Sequence, residues 1–170
     1  MSAKNESIFK WSLYAGAAVL LLLLQGSLLQ RITVWGVIPF LYPAVAAVVG
    51  NYENPVPSTI FGLCLGVVCD LLLPGSIPCL YTLIFPLAAL SGALISKSLL
   101  KAGWICALVS AAAGFLLTDL MRCVLLWAAG KPAWAAGLLV MLKEYVVTAP
   151  FLLLAVPLFS AVHRRVHLYD

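Results

Sequence analysis

Three ionisable side chains stand inside long apolar stretches, away from any polar loop: Asp70, Asp119 and Arg122. A charge inside hydrocarbon costs about 2.5–3.5 kcal/mol on insertion scales, so such groups usually face protein and are paired. Asp119 and Arg122 are three residues apart and therefore share a helix face. We predict an intramembrane ion cluster in which Arg122 neutralises Asp119 and can be shared with Asp70 across a helix interface. A structural cluster, a solute site in a cavity and a contact with a partner protein are the three roles that this cluster could have.

No combination of residues typical of an active site accompanies these charges. His163 and His167 lie four residues apart in the basic C-terminal tail, where contact with lipid headgroups is expected rather than metal binding. The five cysteines lack C-x-x-C spacing, so we predict buried apolar side chains. Serine and threonine have no histidine or lysine base within an apolar stretch. We therefore expect no enzyme, no catalytic residue, no metal site and no bound cofactor.

The elements that carry these residues are predicted to be membrane helices. Of the 170 residues, 64% are hydrophobic and 9% are charged, against about 45–50% and 25% in soluble domains. Mean hydropathy is +1.11 along the chain. The first apolar stretch is too long for a signal peptide and lacks a cleavage pattern, so we expect it to be retained. The composition predicts one all-α integral membrane domain over residues 1–170.

Six apolar stretches have a length that suits a bilayer core about 30 Å thick. The predicted bundle therefore has six transmembrane helices: Trp11–Leu29, Thr33–Gly50, Pro57–Leu73, Pro78–Ile95, Gly103–Trp127 and Glu144–Val162. Pro39 predicts a kink in the second helix. The stretch Ala133–Leu142 is too short to cross, and Lys143 and Glu144 follow it, so we expect a short interfacial or re-entrant helix there. A single long tilted helix is the alternative.

The distribution of basic residues predicts the orientation of the bundle. With the N-terminus inside, the cytoplasmic segments hold Lys4, Lys10, Lys97, Lys101, Arg164 and Arg165, whereas the outer loops hold Arg31 and Lys131. Both termini are therefore predicted to be cytoplasmic. The net charge of +4 is concentrated in segments that flank the membrane, which indicates contact with anionic headgroups and not nucleic-acid binding.

A stripe of small residues leads to the first acid of the cluster. Gly62, Gly66 and Asp70 follow one another at intervals of four, so they lie on one face of a helix. Small residues at this spacing allow a second helix to approach closely. We predict that this helix-contact stripe packs against another helix, with Asp70 at the end of the contact.

Together with the chain length, this stripe and two further features resemble the family of the bacterial rod shape-determining protein MreD. The features are the Leu-rich first span ending in Gln25-Gly26-Ser27-Leu28-Leu29, and Pro39 at the start of span two. Members of that family usually carry an acid directly after the proline, whereas this chain has Phe40, so no role for that acid is carried over.

The resemblance implies a non-enzymatic scaffold of the cell-elongation and peptidoglycan-synthesis machinery in the bacterial inner membrane. In this scaffold the small-residue stripes and the ion cluster are expected to bind partner helices. Its implied partners are a single-span MreC-like protein and, through it, the MreB filament, RodA and its transpeptidase. The MreD fold is also similar to the substrate-binding S components of energy-coupling-factor vitamin transporters, so the alternative function is a solute-binding transporter subunit. Such subunits need polar and aromatic side chains that converge from the outer loops, and the outer connections here read as short or apolar, which favours the scaffold.

Overall fold

The computed structural model describes residues 3–73, 79–130 and 134–167, and the side chains of residues 8–164 within those ranges. These ranges form six α-helices and a single 3₁₀ turn, and no β-strand. The helices are α1 (Ala3–Ser27), α2 (Leu41–Tyr52), α3 (Pro55–Leu72), α4 (Leu80–Ser98), α5 (Trp104–Ala128) and α6 (Trp134–His167), and the 3₁₀ turn is Leu29–Arg31. The all-α prediction is confirmed for this part of the chain.

Five of the described helices are long and apolar enough to cross a membrane. These are α1, α3, α4, α5 and α6, and most of the residues in each apolar window are not buried inside the protein. Leucine, isoleucine and valine side chains form the outer faces of these helices. Such faces would be unfavourable in water but are stable in lipid. The chain therefore has the structure of a multi-pass membrane protein.

The second predicted span is not a transmembrane helix. Residues 32–40 are not helical, and α2 begins at Leu41 and has 12 residues, which give about 18 Å at 1.5 Å per residue. Two features of the sequence explain the late start. Trp35 and Gly36 adopt positive φ angles of 54° and 79° in a tight turn, and the proline at position 39 disfavours helical geometry in the residue before it. The prediction of a kinked helix over Thr33–Gly50 is therefore wrong in its first half.

The N-terminus of α2 is capped by side chains from other helices. The Gln25 side chain of α1 accepts a hydrogen bond from the Leu41 N–H at 3.0 Å and donates one to the Pro39 carbonyl at 2.6 Å. The Thr148 hydroxyl of α6 accepts a bond from the Phe40 N–H at 3.0 Å. Irregular backbone at membrane depth must have its polar groups satisfied by protein or by water. These bonds hold the non-helical segment between α1 and α6.

Helix α2 lies at the centre of the bundle, and 11 of its 12 residues are buried. Its contact with α4 depends on glycine from both sides. A Cβ atom at Gly50 would collide with the Ala89 carbonyl oxygen, and one at Gly92 would collide with the Ala47 carbonyl oxygen. Because both obstacles are backbone atoms, no side-chain rotation could relieve the collisions. The two helices therefore pack backbone to backbone.

The last helix is continuous from Trp134 to His167, with Pro150 and Pro157 in its interior. The alternative of a single long helix is thus confirmed, and the separate short helix over Ala133–Leu142 followed by a span over Glu144–Val162 is wrong. Lys143 and Glu144 do not end the helix because Lys and Glu are both favourable helix residues. At about 51 Å, a 34-residue helix exceeds the thickness of the hydrocarbon core.

The first turns of α1 and the last turns of α6 come together at one end of the bundle. Lys10 Nζ of α1 lies 2.6 Å from Glu53 Oε2, which follows α2, and His163 Nδ1 of α6 lies 3.9 Å from Glu53 Oε1. Asn51 Oδ1 accepts a bond from the Ser110 hydroxyl at 2.7 Å nearby. We call this the termini end and the opposite end of the bundle the cavity end. The N-terminal part of α1 and the C-terminal part of α6 therefore lie at the same end of the bundle.

Candidate functional site

The predicted helix-contact stripe lies between α3 and α4 of the same chain. A Cβ atom at Gly62 would be 2.6 Å from the Phe85 carbonyl oxygen, and one at Gly66 would be 2.5 Å from the Tyr81 carbonyl oxygen. Both distances are far below ordinary van der Waals contact, so only glycine permits this approach. The stripe is buried inside the fold and does not present a surface to a partner helix.

Asp70, at the end of the stripe, caps α4. Its Oδ1 accepts a hydrogen bond from the Tyr81 N–H at 3.1 Å, while Oδ2 accepts bonds from the Thr82 N–H at 2.8 Å and the Thr82 hydroxyl at 2.6 Å. The first N–H groups of a helix lack intrahelical partners and carry the positive end of its dipole, so a carboxylate is stabilising there. Among the described side chains Asp70 makes no ion pair with Arg122.

The intrahelical part of the ion cluster is present. Arg122 Nη1 lies 3.3 Å from Asp119 Oδ1, and the Asp119 side chain is only 7% exposed. Asp119 Oδ2 is buried and has no hydrogen-bond partner in the described part of the chain. Arg122 also lies beside the Tyr81 hydroxyl of α4. The guanidinium has five N–H donors, and its long bond to Asp119 uses one of them. Most of its donors therefore remain available for other acceptors.

Glu144 is the charged residue that sequence reasoning missed at this site. The sequence predicts that it is the polar start of the last span, whereas the continuous α6 places it close enough to Asp119 and Arg122 for their charges to act on it. The cluster at the cavity end therefore consists of Asp119, Arg122 and Glu144, and Asp70 lies outside it. The signal for Glu144 in the sequence is that it lies within an apolar stretch longer than one membrane crossing requires.

A cavity of about 530 Å³ opens beside this cluster. It is bounded by α1, the non-helical segment, and the cavity-end portions of α2, α3, α5 and α6. The lining residues are Gln25, Gln30, Gly36, Val37, Ile38, Pro39, Phe40, Tyr42, Leu73, Arg122, Val140 and Glu144. Small-molecule sites typically have volumes of about 300–1,000 Å³ and combine an apolar wall with a few polar groups. This cavity has that character.

Aromatic side chains form one wall of the cavity. The Phe40 ring packs edge-on against the Tyr42 ring, with the two centroids 5.2 Å apart. The Phe40 centroid also lies 5.8 Å from that of the Tyr81 ring. Gln30, Gly36 and Ile38 are exposed and form the rim. Gln25 is engaged with backbone on both sides, so the polar side-chain groups of the inner lining that remain available are those of Arg122, Glu144 and Tyr42.

Other residues singled out by type do not form a site in the described ranges. His163 lies at the termini end beside Glu53 and the Tyr52 ring, and the His167 side chain falls outside the described residues. No group of three histidine, cysteine, aspartate or glutamate residues among the described ones could hold a metal. All five cysteines are free, and Cys64 and Cys79 are exposed, so the prediction of burial is wrong for these two.

Comparisons with models of protein families, with characterised proteins and with solved structures find no match to this chain.

Proposed function

We propose that this chain is a non-enzymatic scaffold of the bacterial cell-elongation machinery that resides in the inner membrane and binds an MreC-like single-span protein. The resemblance to the MreD family supports this proposal, and one observation carries it. The residues of the resembling motif, Gly62, Gly66 and Asp70, act as one unit that joins α3 to α4 and caps α4. The spacing is thus required by the fold and is not a chance run of small residues.

Within this proposal the partner contacts lipid-facing helix surfaces, because the small-residue stripe is already used. On α3 this surface contains Ile60, Leu63 and Val67, which are 60%, 47% and 39% exposed. On α6 it contains Leu153 and Leu154, which are 61% and 58% exposed. In lipid, packing between such surfaces and a partner helix depends on shape complementarity rather than on hydrophobic burial.

Co-purification with the MreC-like protein of the same organism tests the scaffold. The tagged chain, solubilised in mild detergent, should retain that partner but not an unrelated single-span protein expressed at the same level. Leu63→Trp and Leu153→Trp should leave the melting temperature unchanged, and at least one should weaken retention. Failure of the wild-type chain to retain the partner in detergent and in native membranes after crosslinking would refute the proposal.

A second candidate is a solute-binding subunit similar to the S components of vitamin transporters, and the cavity is the observation that favours it. The cavity places Phe40, from the connection between α1 and α2, around one volume with Arg122 of α5 and Glu144 of α6, so its charged groups come from helices and not from the outer connections. Mass spectrometry of protein purified without added ligand tests this candidate. A bound small molecule that is lost on Glu144→Gln would support it, and a ligand-free preparation that still retains the MreC-like partner would favour the scaffold.

A further inference from the structure

The cavity is lined by an arginine and a glutamate that form no ion pair with each other. Arg122 and Glu144 both line it, yet they form no ion pair within 4.0 Å, whereas Arg122 and Asp119 do at 3.3 Å. Glu144 accepts no hydrogen bond from any described residue. Charges that remain exposed to a cavity at membrane depth are costly and usually mark a site for a solute, an ion or a proton.

The neutral polar side chains of the cavity carry no charge to recognise a charged ligand. Both ends of the Gln25 amide are used by the backbone of residues 39 and 41, Gln30 lies at the exposed rim, and Tyr42 contributes a hydroxyl to the lining. Recognition of charged groups inside the cavity therefore depends on the guanidinium and the carboxylate. A guanidinium binds carboxylate or phosphate oxygens through paired N–H donors, and a carboxylate binds an ammonium group.

From this arrangement we infer that the cavity binds a zwitterion, with an acidic oxygen group on Arg122 and a primary ammonium group on Glu144. The inference rests on the second candidate function and names the chemical class of its ligand. The Phe40 ring in the cavity wall can contribute a cation–π contact to the ammonium group. Two sources share this chemistry: a free amino acid and the headgroup of phosphatidylethanolamine.

Paired probes that differ in the ammonium group test the inference on the purified full chain. The soluble pairs are glycerophosphoethanolamine against glycerophosphoglycerol, and 4-aminobutyrate against butyrate, with binding measured by calorimetry in detergent free of phospholipid. The lipid pair is nanodiscs of phosphatidylethanolamine against nanodiscs of phosphatidylglycerol, with thermal stability as the readout. We expect at least one ammonium-bearing probe to bind about tenfold or more tightly than its partner, since a charge-assisted bond has that strength.

Two variants separate the role of Glu144 from general effects. Glu144→Gln keeps the shape of the side chain but removes its charge, so it should abolish the preference for the ammonium-bearing member of each pair. Lys143→Gln removes a charge from the neighbouring position, which does not line the cavity, and should leave the preference unchanged. Both variants should melt within a few degrees of the wild-type chain.

Each outcome has a distinct meaning. Preference for 4-aminobutyrate over butyrate identifies a free amino acid or similar solute. Preference for glycerophosphoethanolamine alone, or stabilisation only by phosphatidylethanolamine, identifies a lipid headgroup if it is lost in Glu144→Gln. Equal binding of both members of every pair overturns the zwitterion but leaves a solute-binding role intact. If no probe or lipid binds to the folded chain, the inference is overturned, and a parallel mass-spectrometry result without bound ligand removes the solute-binding function as well.

Discussion

Two glycine-to-alanine substitutions should change stability in opposite directions although the chemical change is the same. At Gly66, on the face of α3 that contacts α4, a new Cβ atom would lie 2.5 Å from the Tyr81 carbonyl oxygen and 2.7 Å from the Thr82 Cα. At Gly16, on the exposed face of α1, nothing lies within 4 Å of the same atom. Gly16→Ala is therefore a matched control for Gly66→Ala.

The expected magnitude follows from the geometry. Ordinary contact begins at 3.4 Å, so α3 and α4 must separate locally by about 0.9 Å, and overpacking of this kind costs about 1–3 kcal/mol. Separation also stretches the hydrogen bonds of Asp70 one turn along α3, and weakened capping adds about 1 kcal/mol. We expect Gly66→Ala to lower the free energy of unfolding by about 3 kcal/mol. Gly16→Ala should raise it by about 0.5–1 kcal/mol or leave it unchanged, because alanine restricts the unfolded chain.

Thermal unfolding of each purified variant in the same detergent measures the difference. For a chain of this length 1 kcal/mol corresponds to about 2–4 °C, so Gly66→Ala should melt about 6–12 °C below the wild type. Equilibrium unfolding in mixed micelles provides an independent value. A Gly66→Ala variant as stable as the wild type, or equal destabilisation by Gly16→Ala, would refute the close contact between α3 and α4.

Further substitutions test three polar contacts: the Asp70 cap, the Gln25 bond and the Arg122–Asp119 pair. Asp70→Ala should lower the unfolding free energy in mixed micelles by about 2 kcal/mol through loss of the α4 cap, with a smaller loss for Asp70→Asn, and equal stability of both to wild type would contradict the cap. Gln25→Leu should accelerate hydrogen exchange of the Leu41 amide by about tenfold or more, whereas unchanged exchange would contradict the bond. Arg122→Gln should lower the melting temperature more than Arg122→Gln combined with Asp119→Asn, because the single change leaves a buried carboxylate unpaired; the reverse order would contradict the pair.

The long apolar helices could be predicted from composition and length because lipid requires about 20 apolar residues per crossing. The predicted bounds of the fifth span, Gly103–Trp127, differ by one residue at each end from α5, Trp104–Ala128. The predicted bounds of the third and fourth spans differ by one to three residues at each end from those of α3 and α4. Here the local sequence determines the helix directly, and tertiary contacts change only the ends.

The non-helical first half of the second span could not be predicted from the local sequence because residues distant in the chain stabilise it. Hydropathy predicts a membrane helix over residues 33–40, whereas these residues form a loop, and Gln25 and Thr148 bind backbone groups at its end. Nothing in the local sequence reports a hydrogen bond to a residue 108 positions away. The Trp35-Gly36 turn was the local signal that a helix does not begin at Thr33.

The candidate site was predictable in part. The spacing of Asp119 and Arg122 was sufficient for their pairing, since a helix places such residues together. The contacts of Asp70 depend on the register of α3 against α4. The proximity of Glu144 to Asp119 and Arg122 depends on whether α6 continues past Lys143. Both are tertiary properties, so periodicity within one segment could not decide them.

Labelling of single cysteines by a membrane-impermeant maleimide tests most directly whether the mouth of the cavity is open to water while the outer face of α3 is covered by lipid. In a chain whose native cysteines are replaced, Ile38→Cys and Leu63→Cys form a matched pair, because the native side chains are 42% and 47% exposed. Ile38 lines the cavity, while Leu63 lies midway along α3 on its lipid-facing side. The account predicts rapid labelling at position 38 and none at position 63 in intact membranes. Equal labelling at both positions, or labelling at 63 alone, would contradict it.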